Sequence, residues 1–178
     1  REYTKDKQQM ASTLERLAGI GYENVQIGVP GYLDAGELKS MLDANGLHAD
    51  SVFAATGSIA GKIGDITRTA SILETDVVRT DSIPVPLRGS ADGYKQFAAD
   101  LNAEGKLLRE NGIIFMYHFH AFEFINFNGI RGIDILLEET NPDDVHFQPD
   151  VFWLTGAGVE PSSGLYLFKG RAEYMHVK

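Results

Sequence analysis

The run YHFHAFEF (residues 117–124) sets two histidines and a glutamate, His118, His120 and Glu123, among aromatic side chains. Burying such groups is costly unless they are paired or put to use. Imidazoles and carboxylates are also the side chains that most often carry protons in catalysis. Two later stretches repeat the theme. VHFQPDVFW (145–153) carries His146 and Asp150, and EYMHVK (173–178) carries His176 and Lys178. If each stretch is a strand, alternation puts Met116, His118 and His120 on one face of the first and His146, Gln148 and Asp150 on one face of the second. His176 and Lys178 share a face of the third. Three neighbouring strands would then aim polar groups at one point.

The elements that must position these residues have their own signature. Helix, glycine and apolar strand follow one another in LERLAGIGYENVQIG (14–28), LKSMLDANGLHADSVFA (38–54) and GKLLRENGIIFMYH (105–118). Glycine at each junction suits a left-handed helix end. Further strands are expected at 76–85, 145–153 and 173–178, with helical patterns near 6–18, 60–74, 92–111, 131–139 and 162–169. This alternation implies an α/β fold of parallel strands joined by crossover helices. Neither a G-x-G-x-x-G nor a G-x-x-x-x-G-K-[ST] loop follows a strand, which argues against an open nucleotide-binding sheet. Polar residues at the C-terminal ends of several strands describe instead the mouth of a barrel. No linker or shift of composition divides the chain, so residues 1–178 are expected to form a single domain.

Composition excludes several functions. The 178 residues are 43% hydrophobic and 23% charged, enough for one core. The absence of cysteine rules out disulfides, zinc–thiolate sites, iron–sulfur clusters and thiol nucleophiles. No apolar run approaches the roughly 20 residues of a membrane span. A net charge of −9 argues against a nucleic-acid partner and leaves room for a small neutral sugar. These features fit a cytoplasmic protein, or a periplasmic or secreted one if a leader preceded Arg1. Unpaired barrel edges would favour a homo-oligomer.

Each polar residue also has a structural reading. A lone strand histidine such as His146 reads as a hydrogen-bonded core or surface residue. Glu123 reads as a loop carboxylate, although Phe122 and Phe124 restrict its access to water. Asp150, between Pro149 and Val151, is a poor strand former with no evident helix to cap. Phe119, Phe122, Phe124 and Trp153 read first as core or pocket wall. The arrangement, one acid or imidazole per strand end, is what favours a site.

Taken together, YHFHAFEF, GIDILLEETNPDDVHFQPDVFW (132–153) and GRAEYMHVK (170–178) resemble the xylose isomerase-like barrel family of sugar phosphate isomerases and epimerases. The corresponding runs of that family read Y-H-N-H-x-F-E-F, D-x-x-W and H-[LV]-K-D. TLERLAGIGYENVQIG (13–28) and GYKQFAADLNAEGKLLRENGI (93–113) are similar to its earlier units, so the likeness covers most of the chain.

The resemblance implies a TIM barrel holding one divalent metal ion, Mn²⁺, Mg²⁺ or Zn²⁺, with Glu123, Asp150, His176 and a second glutamate on the eighth strand as ligands. It implies isomerisation or epimerisation by proton transfer next to a carbonyl, through an enediolate, with Glu123 as acid and base. His118, His120, Trp153 and Lys178 would contact the sugar. The chain offers six strand candidates, fewer than the eight of a barrel of about 250 residues. An incomplete barrel, lacking the first strand and the last βα unit, is therefore expected. Phe119 stands where the family has asparagine, Trp153 where ketose epimerases have histidine, and Gly129 where they have a further glutamate. A metal-dependent lyase or hydrolase acting on an oxidised sugar or cyclitol, or a non-catalytic sugar-binding fragment, fits the same residues. A multi-zinc endonuclease on this barrel would need more histidines.

Overall fold

The periodic apolar positions become helices with recognisable ends in the computed structural model, which describes residues 3–177. They fall into two compact units, Arg1–Phe53 with Lys62–Val78, and Ala54–Gly61 with Arg79–Lys178. In the first unit, helix α1 (Lys7–Ile20) begins at Asp6, whose carboxylate accepts the Gln9 amide at 2.8 Å. It ends at Gly21, whose φ of 102° is open to glycine and strained for other residues. Met10 and Leu14 form its buried face. The short strands β1 (Asn24–Val25) and β2 (His48–Ala49) pair in parallel. Between them α2 (Ala35–Asp43) starts with a reciprocal cap between Asp34 and Glu37 and buries Leu38 and Leu42. Strand β3 (Val52–Phe53) neighbours β4 (Val77–Asp81), and α3 (Ile59–Leu73) connects them.

In the second unit the end of β4 is followed by α4 (Ala91–Glu110), capped by Ser90. Tyr94, Phe97, Leu101 and Leu108 of α4 are buried. Strand β5 (Ile114–His118) lies between β4 and β8 (His146–Gln148), and it pairs with β8 in parallel, Met116 opposite His146 and His118 opposite Gln148. A 3-10 turn (Ala121–Phe124), an antiparallel hairpin of β6 (Asn126–Phe127) and β7 (Ile130–Arg131), and α5 (Gly132–Glu139) separate β5 from β8. Helices α6 (Val151–Gly156) and α7 (Pro161–Leu165) follow β8. The chain then returns beside β8 through parallel bridges of Phe147 to Ala172 and Asp150 to His176. The α/β fold with parallel strands and crossover helices is thus present.

An aromatic core holds the strands of this unit. The Tyr117 ring meets Phe97 edge-on at 5.2 Å and Phe147 at 6.3 Å, and Phe119 stacks on Phe168 at 4.9 Å. Arg171 ties the returning segment down, donating to Leu137 O, Thr140 Oγ1 and Val145 O with its guanidinium over the Phe147 ring. At Gly105 the α4 backbone comes so close to Asp144 that a Cβ would lie 2.2 Å from its carbonyl oxygen.

Three expected boundaries are corrected. The strand foreseen at 145–153 stops at Gln148, because Pro149 has no N–H to extend the ladder and Asp150 is the N-cap of α6. Asp150 therefore does have a helix to cap. The strand at 76–85 stops at Asp81, where Ser82 turns into the left-handed region with φ of 64°. Residues 173–177 form no regular strand, and a single bridge at His176 pairs them with Asp150. Lys178 lies outside the described residues. No helix among the described residues is long and apolar enough to cross a membrane.

Candidate metal centre

Strands β4, β5 and β8 and the returning segment each deliver a polar residue to one place in the second unit. His118 is the last residue of β5, Asp150 follows β8 by two positions, and the Asp150–His176 bridge fixes His176 alongside. His118 Nε2 lies 3.0 Å from Asp150 Oδ2, His176 Nδ1 lies 3.2 Å from the same oxygen, and the two ring nitrogens are 3.1 Å apart. Asp150 is fully buried, His118 nearly so, and His176 is partly open. Three ligand atoms held about 2.1 Å from one ion, at right angles to each other, would be about 3.0 Å apart. The observed triangle has those edges. Its donor set, one carboxylate and two imidazoles, is nitrogen-rich and suits Zn²⁺ or another imidazole-binding transition ion better than Mg²⁺, which prefers oxygen. Among the described residues these three form the group able to hold an ion.

Asp150 serves two purposes with its two oxygens. Oδ2 faces the imidazoles, while Oδ1 accepts the amides of Phe152 and Trp153 at 3.0 and 3.3 Å and so starts α6. On the far side of His118, Nδ1 is buried, has no hydrogen bond, and lies 3.4 Å from Asp81 Oδ1. Asp81 in turn pairs with Arg79. Burial pushes the Asp81 carboxyl up, but His118 and Arg79 outweigh it and hold the group below its ordinary range. A carboxylate behind a ligating imidazole orients the ring and sets its tautomer.

Glu123 occupies a different place from the one expected of a ligand. Its side chain is fully buried beneath the 3-10 turn, where Oε1 accepts the Tyr117 hydroxyl and Oε2 accepts the His120 amide at 2.8 Å. Burial raises its pKa to about 7, against the lowering effect of Tyr117, the His120 amide and Arg88. The residue drawn into the triangle is His118, which the resemblance made a sugar contact.

His120 and Trp153 line the approach. The His120 ring is 4.8 Å from that of His118, stacks within 10° on Phe122 at 5.2 Å, and meets Trp153 at 5.0 Å. Its Nδ1 is 3.4 Å from the Ser82 hydroxyl. Burial, reinforced by His118, lowers its pKa to about 4, so it is neutral near pH 7. His146 is not part of the triangle; its buried Nδ1 lies 3.1 Å from Glu173 Oε1 without a hydrogen bond. Sequence reasoning missed Asp81 and Ser82. The available signal was their position, polar residues at the C-terminal end of a strand, as with the other site residues.

No protein-family model matches the sequence, and no curated protein matches it. Solved structures do. A sugar phosphate isomerase/epimerase from Parabacteroides distasonis superimposes with a TM-score of 0.80 at 22% identity, over 96% of this chain and 69% of its own. A second sugar phosphate isomerase/epimerase from that organism gives 0.81 at 18%, over 99% and 74%. A xylose isomerase-like TIM barrel protein from Mycobacterium smegmatis, solved in complex with magnesium, gives 0.66 at 14%, over 99% and 68%. The fold of this chain is that of the xylose isomerase-like TIM barrels.

Proposed function

We propose that the protein is a metal-dependent enzyme that isomerises or epimerises a sugar by moving a proton at the carbon next to a carbonyl. The observation that carries this reading is the convergence of His118, Asp150 and His176 within 3.2 Å. These three residues would hold the ion, and the magnesium bound by a protein of the same fold is consistent with that. When bound, a divalent ion supplies Lewis acidity, which makes the C–H beside a carbonyl easier to ionise.

The chain's own residues do the rest. Asp81 holds the His118 ring in one orientation. Trp153 offers a flat apolar face to the sugar, and together with Phe122 it excludes water around His120. His120, its ring 4.8 Å from that of His118, is the side chain placed to take the proton and return it. Glu123 acts from below by anchoring the His120 backbone, a positioning role in place of the acid–base role that the resemblance implied.

The test combines metal analysis with solvent exchange. The purified protein should retain one divalent ion per chain, and incubation with keto and aldo sugars in deuterium oxide should place deuterium next to the carbonyl. His120→Gln should abolish that exchange, and Glu123→Gln should leave most of it. Exchange that survives in His120→Gln and disappears in Glu123→Gln would return the base to Glu123.

A further inference from the structure

Arg88 stands in the loop between β4 and α4, on the same end of the strands as the metal triangle. Its Nε–H donates to the Ile83 carbonyl at 2.8 Å, and its guanidinium carbon lies 4.0 Å from the centre of the Phe122 ring. The opposite face of that ring is the one stacked on His120, since a 5.2 Å separation leaves no room for a guanidinium between them. Arg88 is thus one aromatic layer beyond the residue placed to move the proton.

Its charge reaches the buried Glu123 only at a distance. Arg79 pairs with Asp81, Arg109 with Asp144 and Arg131 with Asp134, whereas among the described residues Arg88 has no ion pair. The Ile83 bond and the Phe122 face fix the plane of the guanidinium, and the bond to Nε leaves the Nη edge as its free side. Two parallel N–H groups on a fixed planar edge fit a carboxylate bidentately.

We propose that the ligand of this site is a sugar acid, with its carboxylate on Arg88 and its carbonyl end toward His118, Asp150 and His176. This rests on the sugar-processing reading and narrows it to a substrate class. The test is calorimetric titration of the metal-loaded and metal-free protein with D-glucuronate, D-glucose and inorganic phosphate. D-Glucuronate should bind more tightly than D-glucose in both forms. Arg88→Gln should weaken D-glucuronate roughly 10- to 100-fold while leaving metal content unchanged. Arg88→Lys should recover only part of the loss, because a point charge lacks the planar edge. Wild-type protein that does not favour D-glucuronate over D-glucose, or an Arg88→Gln variant that keeps the preference, would overturn the proposal. Phosphate bound more tightly than D-glucuronate, in an Arg88-dependent way, would overturn the carboxylate assignment. Metal content is read separately, so loss of the ion reports on the triangle and not on Arg88.

Discussion

Tyr117 and Glu123 face each other in the interior of the second unit, the phenol donating to the carboxylate while accepting the Ile83 amide. The pair therefore links the end of β5, the 3-10 turn and the loop after β4. Tyr117→Phe would leave the buried Ile83 amide without its partner and take from Glu123 the hydroxyl bound to Oε1, and should cost about 1–3 kcal/mol in urea denaturation.

Glu123 should also make the metal-free protein sensitive to pH. Folding raises its pKa from 4.5 to about 7, so in that interval the folded state keeps a proton that the unfolded state releases. Stability is then complete below about 4.5 and falls as the pH rises toward 7. Glu123→Gln cannot ionise, and denaturation curves across this interval should show a flatter dependence. An unchanged slope would mean that the carboxyl titrates normally.

At Asp150, two substitutions separate the two roles. Asn keeps an oxygen able to cap α6 but removes the negative charge, so Asp150→Asn should lower metal affinity about 100-fold or more with little loss of stability in the metal-free state. Asp150→Ala should lose the cap as well and unfold about 1 kcal/mol more easily than the Asn variant. Metal titration and thermal melting read the two effects independently.

Ser82 holds a left-handed backbone that costs an ordinary residue about 1 kcal/mol. Ser82→Gly should raise stability by that order, since glycine adopts the conformation freely. The same change removes the hydroxyl near His120, so proton exchange should slow severalfold although the protein is more stable. A variant both less stable and fully active would contradict this account.

Gly105→Ala should be among the most damaging small substitutions. The new methyl would meet the Asp144 backbone, which cannot rotate away as a side chain could, and separating α4 from that loop should cost at least about 2–3 kcal/mol. A denaturation midpoint near that of the parent would show that the helix can shift.

Much of the architecture was legible from residue types, and the reasons are local. Gly21 marks the end of α1 because few other residues adopt its conformation. Asp150 and His176 stand out in the sequence because polar groups at strand ends have few structural uses, and the two side chains lie 3.2 Å apart. The division of labour between His118 and Glu123 was not legible. Both are polar residues of one short run, and the choice depends on the 3-10 turn that sends Glu123 inward to Tyr117, while His118, still on β5, faces Asp150. Asp81 and Ser82 escaped notice for a related reason. Neither forms a motif, and each matters only through contact with a histidine more than 30 residues away in sequence.

The double engagement of Asp150 makes Trp153 a built-in optical gauge of the triangle. It is the sole tryptophan of the chain. Its amide shares the carboxylate whose other oxygen faces the imidazoles, and its indole leans on His120. An ion drawing on Asp150 pulls at the first turn of α6 and alters the surroundings of that one fluorophore. Occupancy can then be followed from intrinsic emission alone, without a label and without knowledge of the substrate.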